Sequence, residues 1–239
     1  MKRVRFPILL LLMTSIFGCA YYPNIPKSIE NSFTYCYAGK NTGLDTLINI
    51  DGYYREMSFN KRSPTVGGFL KDTSIYYIDT SYHYFMFYED GIFVYNIRDS
   101  YYDVNKKELV KKDVSLFMKD FIENTENSAR QFYSNFWGGY IICGDTIRMQ
   151  SMYKGMSLNS GWHLGEVWYK IIDKNTILCI NSFNLPEMSR PKERTHYPVV
   201  FFPIPEKPKS DRSWILREKW FWCNEEDWRV FSDNLEKNK

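Results

Sequence analysis

Tyr140-Ile141-Ile142-Cys143-Gly144-Asp145-Thr146-Ile147-Arg148-Met149 is the stretch on which the fold turns. Two apolar-rich runs flank Gly144-Asp145, and glycine at the first central position suits a type II′ turn, whose twist matches that of paired antiparallel strands. A second hairpin follows it, joining Glu166–Ile172 to Thr176–Ile180 through Asp173-Lys174-Asn175, where Asn175 can take the left-handed position of a three-residue loop. Together the two hairpins predict a four-stranded antiparallel meander across residues 139 to 182. Toward the N-terminus, Tyr82–Tyr88 and Ile92–Ile97 flank Glu89-Asp90-Gly91, where Asp-Gly suits a type I′ turn.

Outside these hairpins the strand signals are weaker. Leu47 to Met57 suggests a first strand or pair, Arg62 to Gly68 a loop, and Trp214 to Trp222 a last aromatic strand. Pro198, Pro203, Pro205 and Pro208 mark a strand flanked by rigid loops, expected at the surface or an edge. Two helices interrupt the pattern. Val114, Phe117, Met118, Phe121, Ile122, Thr125, Ala129, Phe132 and Phe136 recur at three- and four-residue steps behind Asp113, a fair N-cap. Asn224 can cap a shorter helix that presents Trp228, Phe231 and Leu235 on one side.

Aromatic residues make up 18% of the chain, and tyrosine and phenylalanine favour pleated, half-buried surfaces. The expectation is a mainly β domain of eight to ten strands: an antiparallel up-and-down meander closing into a barrel or strongly curved sheet, with one inserted amphipathic helix and a short C-terminal helix. The meander, with motifs such as Gly144-Asp145-Thr146-Ile147, resembles the lipocalin-like barrels of small exported lipoproteins. That resemblance implies a barrel able to hold a small hydrophobic molecule.

The first residues carry a different message. Lys2, Arg3 and Arg5 form a basic region before the apolar run Phe6–Phe17, the pattern of a secretory signal and too short for the roughly 20 residues of a membrane-crossing helix. Ile16-Phe17-Gly18-Cys19 resembles the lipobox of bacterial lipoproteins, although Phe17 departs from the small or β-branched residue preferred there. A plain signal peptide is the alternative, but Ala-x-Ala cleavage chemistry is absent nearby. The lipobox implies cleavage after residue 18 and acylation of Cys19, and two acyl chains hold a protein stably on a membrane. Ala20, in place of an acid, resembles the signal for outer-membrane delivery. The organisation expected is a signal peptide over 1–18, a lipid-anchored tether over 19–43 containing Pro23, Pro26 and Gly39, and one β-rich domain over 44–239.

Lys2, Arg3 and Arg5 also account for the whole formal charge of +3, so the remainder is close to neutral. That gives no charge reason to bind nucleic acid. Cys36, Cys143, Cys179 and Cys223 remain beside Cys19, allowing three disulfide pairings or buried free thiols. No CxxC or Cys/His spacing points to a metal, and no cofactor motif is present. His83 alternates with aromatic residues and reads as a core or face position. Gly161 and Gly165 place His163 and Glu166 at a loop and strand start, and His196 reads as solvated. There is no Gly-x-Ser-x-Gly elbow and no phosphate-binding loop. Glu56, Glu89, Asp145, Glu166 and Asp173 are the acids from which a hydrolase could draw a carboxylate pair.

The residues thus favour a non-catalytic, lipid-anchored envelope protein whose aromatic barrel binds a small apolar or carbohydrate ligand. Accessory docking on another envelope protein is the alternative, and an envelope hydrolase the second. Tyr84, Trp162, Trp168 and Tyr169 are the aromatic residues expected near a cavity. Along their strand, Glu166, Trp168 and Lys170 face one way and Val167, Tyr169 and Ile171 the other. One choice gives a polar interior, the other a dry core.

Overall fold

The computed structural model describes residues 25–62, 65–66, 69–70, 77–95, 100–103, 108–111, 136–154, 161–185, 198–211 and 213–237. The signal peptide, Cys19, most of the amphipathic helix expected between Asp113 and Phe136, and His196 lie outside them.

In chain order the strands are β1 (Gly52–Arg62), β2 (Thr65–Val66), β3 (Phe69–Leu70), β4 (Tyr77–Phe87), β5 (Ile92–Tyr95), β6 (Ser100–Asp103), β7 (Glu108–Lys111), β8 (Phe136–Cys143), β9 (Thr146–Lys154), β10 (Trp162–Asp173), β11 (Thr176–Leu185) and β12 (Pro198–Pro203). The pairs β2–β3 and β6–β7 stand as separate ribbons, and the other eight close a barrel. Each barrel strand pairs antiparallel with the next in sequence, and β12 returns to β1, with Gly52 opposite Pro203. This is an up-and-down, lipocalin-like barrel. All three hairpins form where their turn residues place them: Gly91 has φ of 95° and Gly144 of 63°, and the Asn175 N–H donates to Asp173 Oδ1 at 2.7 Å.

Strand alternation here feeds two cores. On β4, Phe85 and Phe87 point into the barrel beside Tyr54, Phe93, Tyr140, Ile147, Tyr169 and Ile177. Tyr84, Met86 and Tyr88 point outward, yet they too are buried, with Trp137, Ile215, Leu216 and Phe221. Covering both faces of this wall is why the strand is an unbroken apolar run. A short helix α2 (Leu44–Leu47) plugs one end of the barrel, with Leu44 and Ile48 fully buried on its inner core. The first strand therefore starts at Gly52, five residues later than expected, because Leu47 and Ile48 belong to the plug.

Three further expectations are corrected. Trp214–Trp222 is not a strand but two 3-10 turns, Trp214–Arg217 and Lys219–Phe221. A closed barrel has no edge to accept another strand, and Ile215 and Leu216, adjacent in sequence, are both buried, which strand alternation over a single face forbids. β12 is not an edge either, since it bonds to both β11 and β1. Its prolines sit at its first and last positions, where a missing N–H is tolerated.

The described part of the expected tether is docked rather than free. Helix α1 (Lys27–Ser32) buries Ile29 against Met152 and Leu164, and the Phe33 ring lies edge-on to Trp220 and Phe221, each at 5.5 Å. Beyond it Cys36 forms a disulfide with Cys223, and Tyr37 pairs with Trp222 in a parallel bridge. Cys143 and Cys179 stay outside any disulfide, one exposed and one buried. The C-terminal helix α3 (Glu225–Lys237) forms as expected, with the Glu226 N–H donating to Asn224 Oδ1 at 3.0 Å.

Candidate functional site

The plug and its aromatic packing fill one end of the barrel, and toward the other end the interior opens into a cavity of about 250 Å³. Its walls come from β4, β5, β8, β9, β10 and β11. Phe93, Tyr95, Phe136, Tyr153 and Tyr169 supply rings, Met149 and Val167 apolar surface, and His83, Ser151, Ser182 and Asn184 the polar groups, while Phe183 borders the space with its ring turned outward against Trp168. Gly165 lines it as well, and the space a side chain would occupy there is open, with the nearest atom, on Tyr153, 3.8 Å from a Cβ.

On β10 the apolar set faces inward: Val167 and Tyr169 line the cavity, while Glu166, Trp168 and Lys170 face out. Polar character enters from β1 and β4 instead. Glu56 and His83 are direct cross-strand partners on the inner face, where opposite residues hold their Cβ atoms roughly 5 Å apart. Glu56 is only 5% exposed, and the Tyr169 hydroxyl donates to its Oε2 at 3.1 Å. The His83 ring lies parallel to Tyr95, centroids 5.9 Å apart, and forms part of the wall. A phenol and an imidazole thus border one aromatic cavity, with the buried Glu56 carboxyl behind the phenol.

Of the four aromatic residues expected near a cavity, Tyr169 alone lines it. Tyr84 belongs to the outer core beside Tyr53, and Trp162 packs outside the barrel near Trp214. Trp168 lies on the outer wall, where the Arg148 guanidinium sits 4.1 Å above its ring. The cause is register: residues at even positions of β10 point away from the barrel.

The five acids do not gather. Glu89, Asp145 and Asp173 occupy the turns at the plugged end. Glu166 faces outward and fastens the N-terminal segment, accepting from the Tyr35 hydroxyl and from Gln150 Nε2, each at 2.7 Å. Gln150 in turn accepts from the Thr34 N–H at 2.8 Å. Glu56 alone of the five is buried on the inner face. His163, expected at a strand start, sits near the mouth with its ring stacked on Tyr153 at 5.3 Å, facing away from the Glu166 side of the strand. Sequence reasoning missed the Glu56–Tyr169 pair because its partners are 113 residues apart. The available hint was an acid two positions beyond Tyr54 on the same strand face.

A second hollow, of about 460 Å³, lies at the plugged end between Asp51, Asp90 and Lys207. Lys207 Nζ donates to the carbonyls of Ile50, at 2.7 Å, and Phe87, and lies 4.4 Å from the centre of the Tyr88 ring. These bonds tie the segment after β12 to the barrel, and burial brings the lysine pKa down to about 8. No family model, curated protein or solved structure matches this chain, so its function rests on this geometry.

Proposed function

We propose that this chain is a lipoprotein of the cell envelope, anchored through a lipid on Cys19 and delivered to the outer membrane, whose barrel binds a small apolar or carbohydrate ligand without catalysis. The observation that carries the reading is the cavity: about 250 Å³, walled mostly by aromatic and aliphatic groups and marked by a few converging polar side chains. Ligand sites have this composition, and the size falls just below their usual range of about 300–1,000 Å³, which favours a compact molecule over a long acyl chain.

Export is supported from a second direction. The Cys36–Cys223 disulfide suits an oxidising compartment. With Cys19 acylated, the six residues from Cys19 to Asn24 reach at most about 20 Å. The chain then joins the outer wall beside Trp162 and Leu185, near the mouth of the cavity. Such an anchor holds the mouth toward the membrane.

The test is a titration of the mature chain with 1-anilinonaphthalene-8-sulfonate and with a set of monosaccharides, beside Gly165→Leu, which fills the cavity from a position with room for a Cβ. Saturable one-site binding of a probe, lost in Gly165→Leu at unchanged thermal stability, is expected. Binding that survives the substitution would place the site elsewhere, and absence of saturable binding would remove the reading.

A further inference from the structure

The chemistry of the cavity wall narrows its occupant, granted the reading that this cavity is the ligand site. Five rings, those of Phe93, Tyr95, Phe136, Tyr153 and Tyr169, surround a compact space, and among the described residues no lysine or arginine lines it. Aromatic faces carry negative electrostatic potential and attract a cation placed over them, all the more when water is excluded. An acid also stands behind this wall. Glu56 is buried, and its carboxylate accepts from the phenol of Tyr169, whose ring forms part of the lining. Donating to a carboxylate shifts electron density into the phenol, which deepens the negative potential of that ring face.

An anionic ligand would meet Glu56 as a like charge in a medium of low polarity, where repulsion is strong. A neutral sugar would present a ring of hydroxyls to walls whose hydrogen-bonding side chains, besides the phenols, are His83, Ser151, Ser182 and Asn184 among the described residues. Hydroxyls buried without partners cost about 1–3 kcal/mol each. An ammonium with methyl or methylene groups meets neither penalty. We propose that the cavity takes a small organic cation, an alkylated ammonium held against its aromatic walls with the Glu56–Tyr169 pair behind them.

Calorimetric titration of the full mature chain with choline and tetramethylammonium, beside the neutral isostere 3,3-dimethylbutan-1-ol and glucose, tests this. Choline is expected to bind at one site, and the isostere about tenfold more weakly, the worth of a desolvated cation–ring contact. Glu56→Gln should weaken choline by a similar factor and leave the isostere unchanged. Because Glu56 is buried and its replacement can fail to fold, Tyr153→Leu at the mouth provides a second variant. It keeps apolar bulk and removes one ring, and should weaken choline selectively. Equal affinity for choline and the isostere, or preference for glucose, overturns the cation while leaving the cavity as a ligand site. Silence from every probe, with 1-anilinonaphthalene-8-sulfonate also unaffected by Gly165→Leu, overturns the cavity reading itself.

Discussion

Gly138 and Gly144 are required for unrelated reasons. A Cβ on Gly138 would stand 1.9 Å from the Gln150 carbonyl oxygen and 2.8 Å from the Phe93 ring. The first obstacle is backbone and cannot turn aside, so Gly138→Ala is expected to cost about 3 kcal/mol, the upper range for overpacking. Gly144 has nothing within 4 Å and is held only by its φ of 63°, so Gly144→Ala should cost about 1 kcal/mol. Urea unfolding of both variants measures the difference, and equal losses would contradict it. The turn glycine was legible because its constraint is local. Gly138 was not, because β9 and β5 supply what it must avoid. Trp168 and Tyr169 show the same limit: neighbours of one type on one strand, sent to opposite faces by a register that only the closed sheet sets.

Among the elements, the two ends of the described chain act as one. The α1 segment and the 3-10 turns cover the same outer wall, and the Cys36–Cys223 disulfide joins them across 187 residues. Breaking it by Cys36→Ser or Cys223→Ser should lower stability by about 2–5 kcal/mol, whereas Cys143→Ser, at an exposed thiol, should change nothing measurable. Truncation separates the turns from the terminal helix. Ending the chain at Cys223 removes α3, which has no buried residue, and loses chiefly the Phe231–Trp222 ring contact, about 1 kcal/mol. Ending it at Asp211 also removes Ile215, Leu216 and Phe221, each at most 1% exposed and worth about 1.5–3 kcal/mol, together with the disulfide. Circular dichroism should find the first variant folded and the second largely unfolded. Apolar content in 214–222 was plain in the sequence. Its conversion into turns follows from the barrel having closed without it.

For the whole molecule, buried titratable groups shape stability at alkaline pH. Burial lowers the Lys207 pKa to about 8 in the folded state, against 10.5 when exposed. Between these values the unfolded chain binds more protons than the folded one, so this lysine makes stability rise with pH through that window. Burial raises the pKa of Tyr35, Tyr37, Tyr54 and Tyr140 above their usual 10, with Glu166 adding to Tyr35 and Asp90 to Tyr37. These phenols keep protons that the unfolded chain releases, so their contribution is lost as pH climbs past 10. Wild type is expected to gain stability from pH 8 to 10 relative to Lys207→Met, whatever the offset between the two, and both should weaken above 10. Parallel curves over pH 8–10 would refute the assignment to Lys207. The sequence by itself determined the hairpins, the meander and the mainly β character, because turn chemistry and strand alternation act over a few residues. Only the tertiary structure decided which face of each strand became the interior, and that the N-terminal segment lies on the barrel. It alone brought Glu56 to Tyr169, since closing the sheet joins residues more than a hundred positions apart.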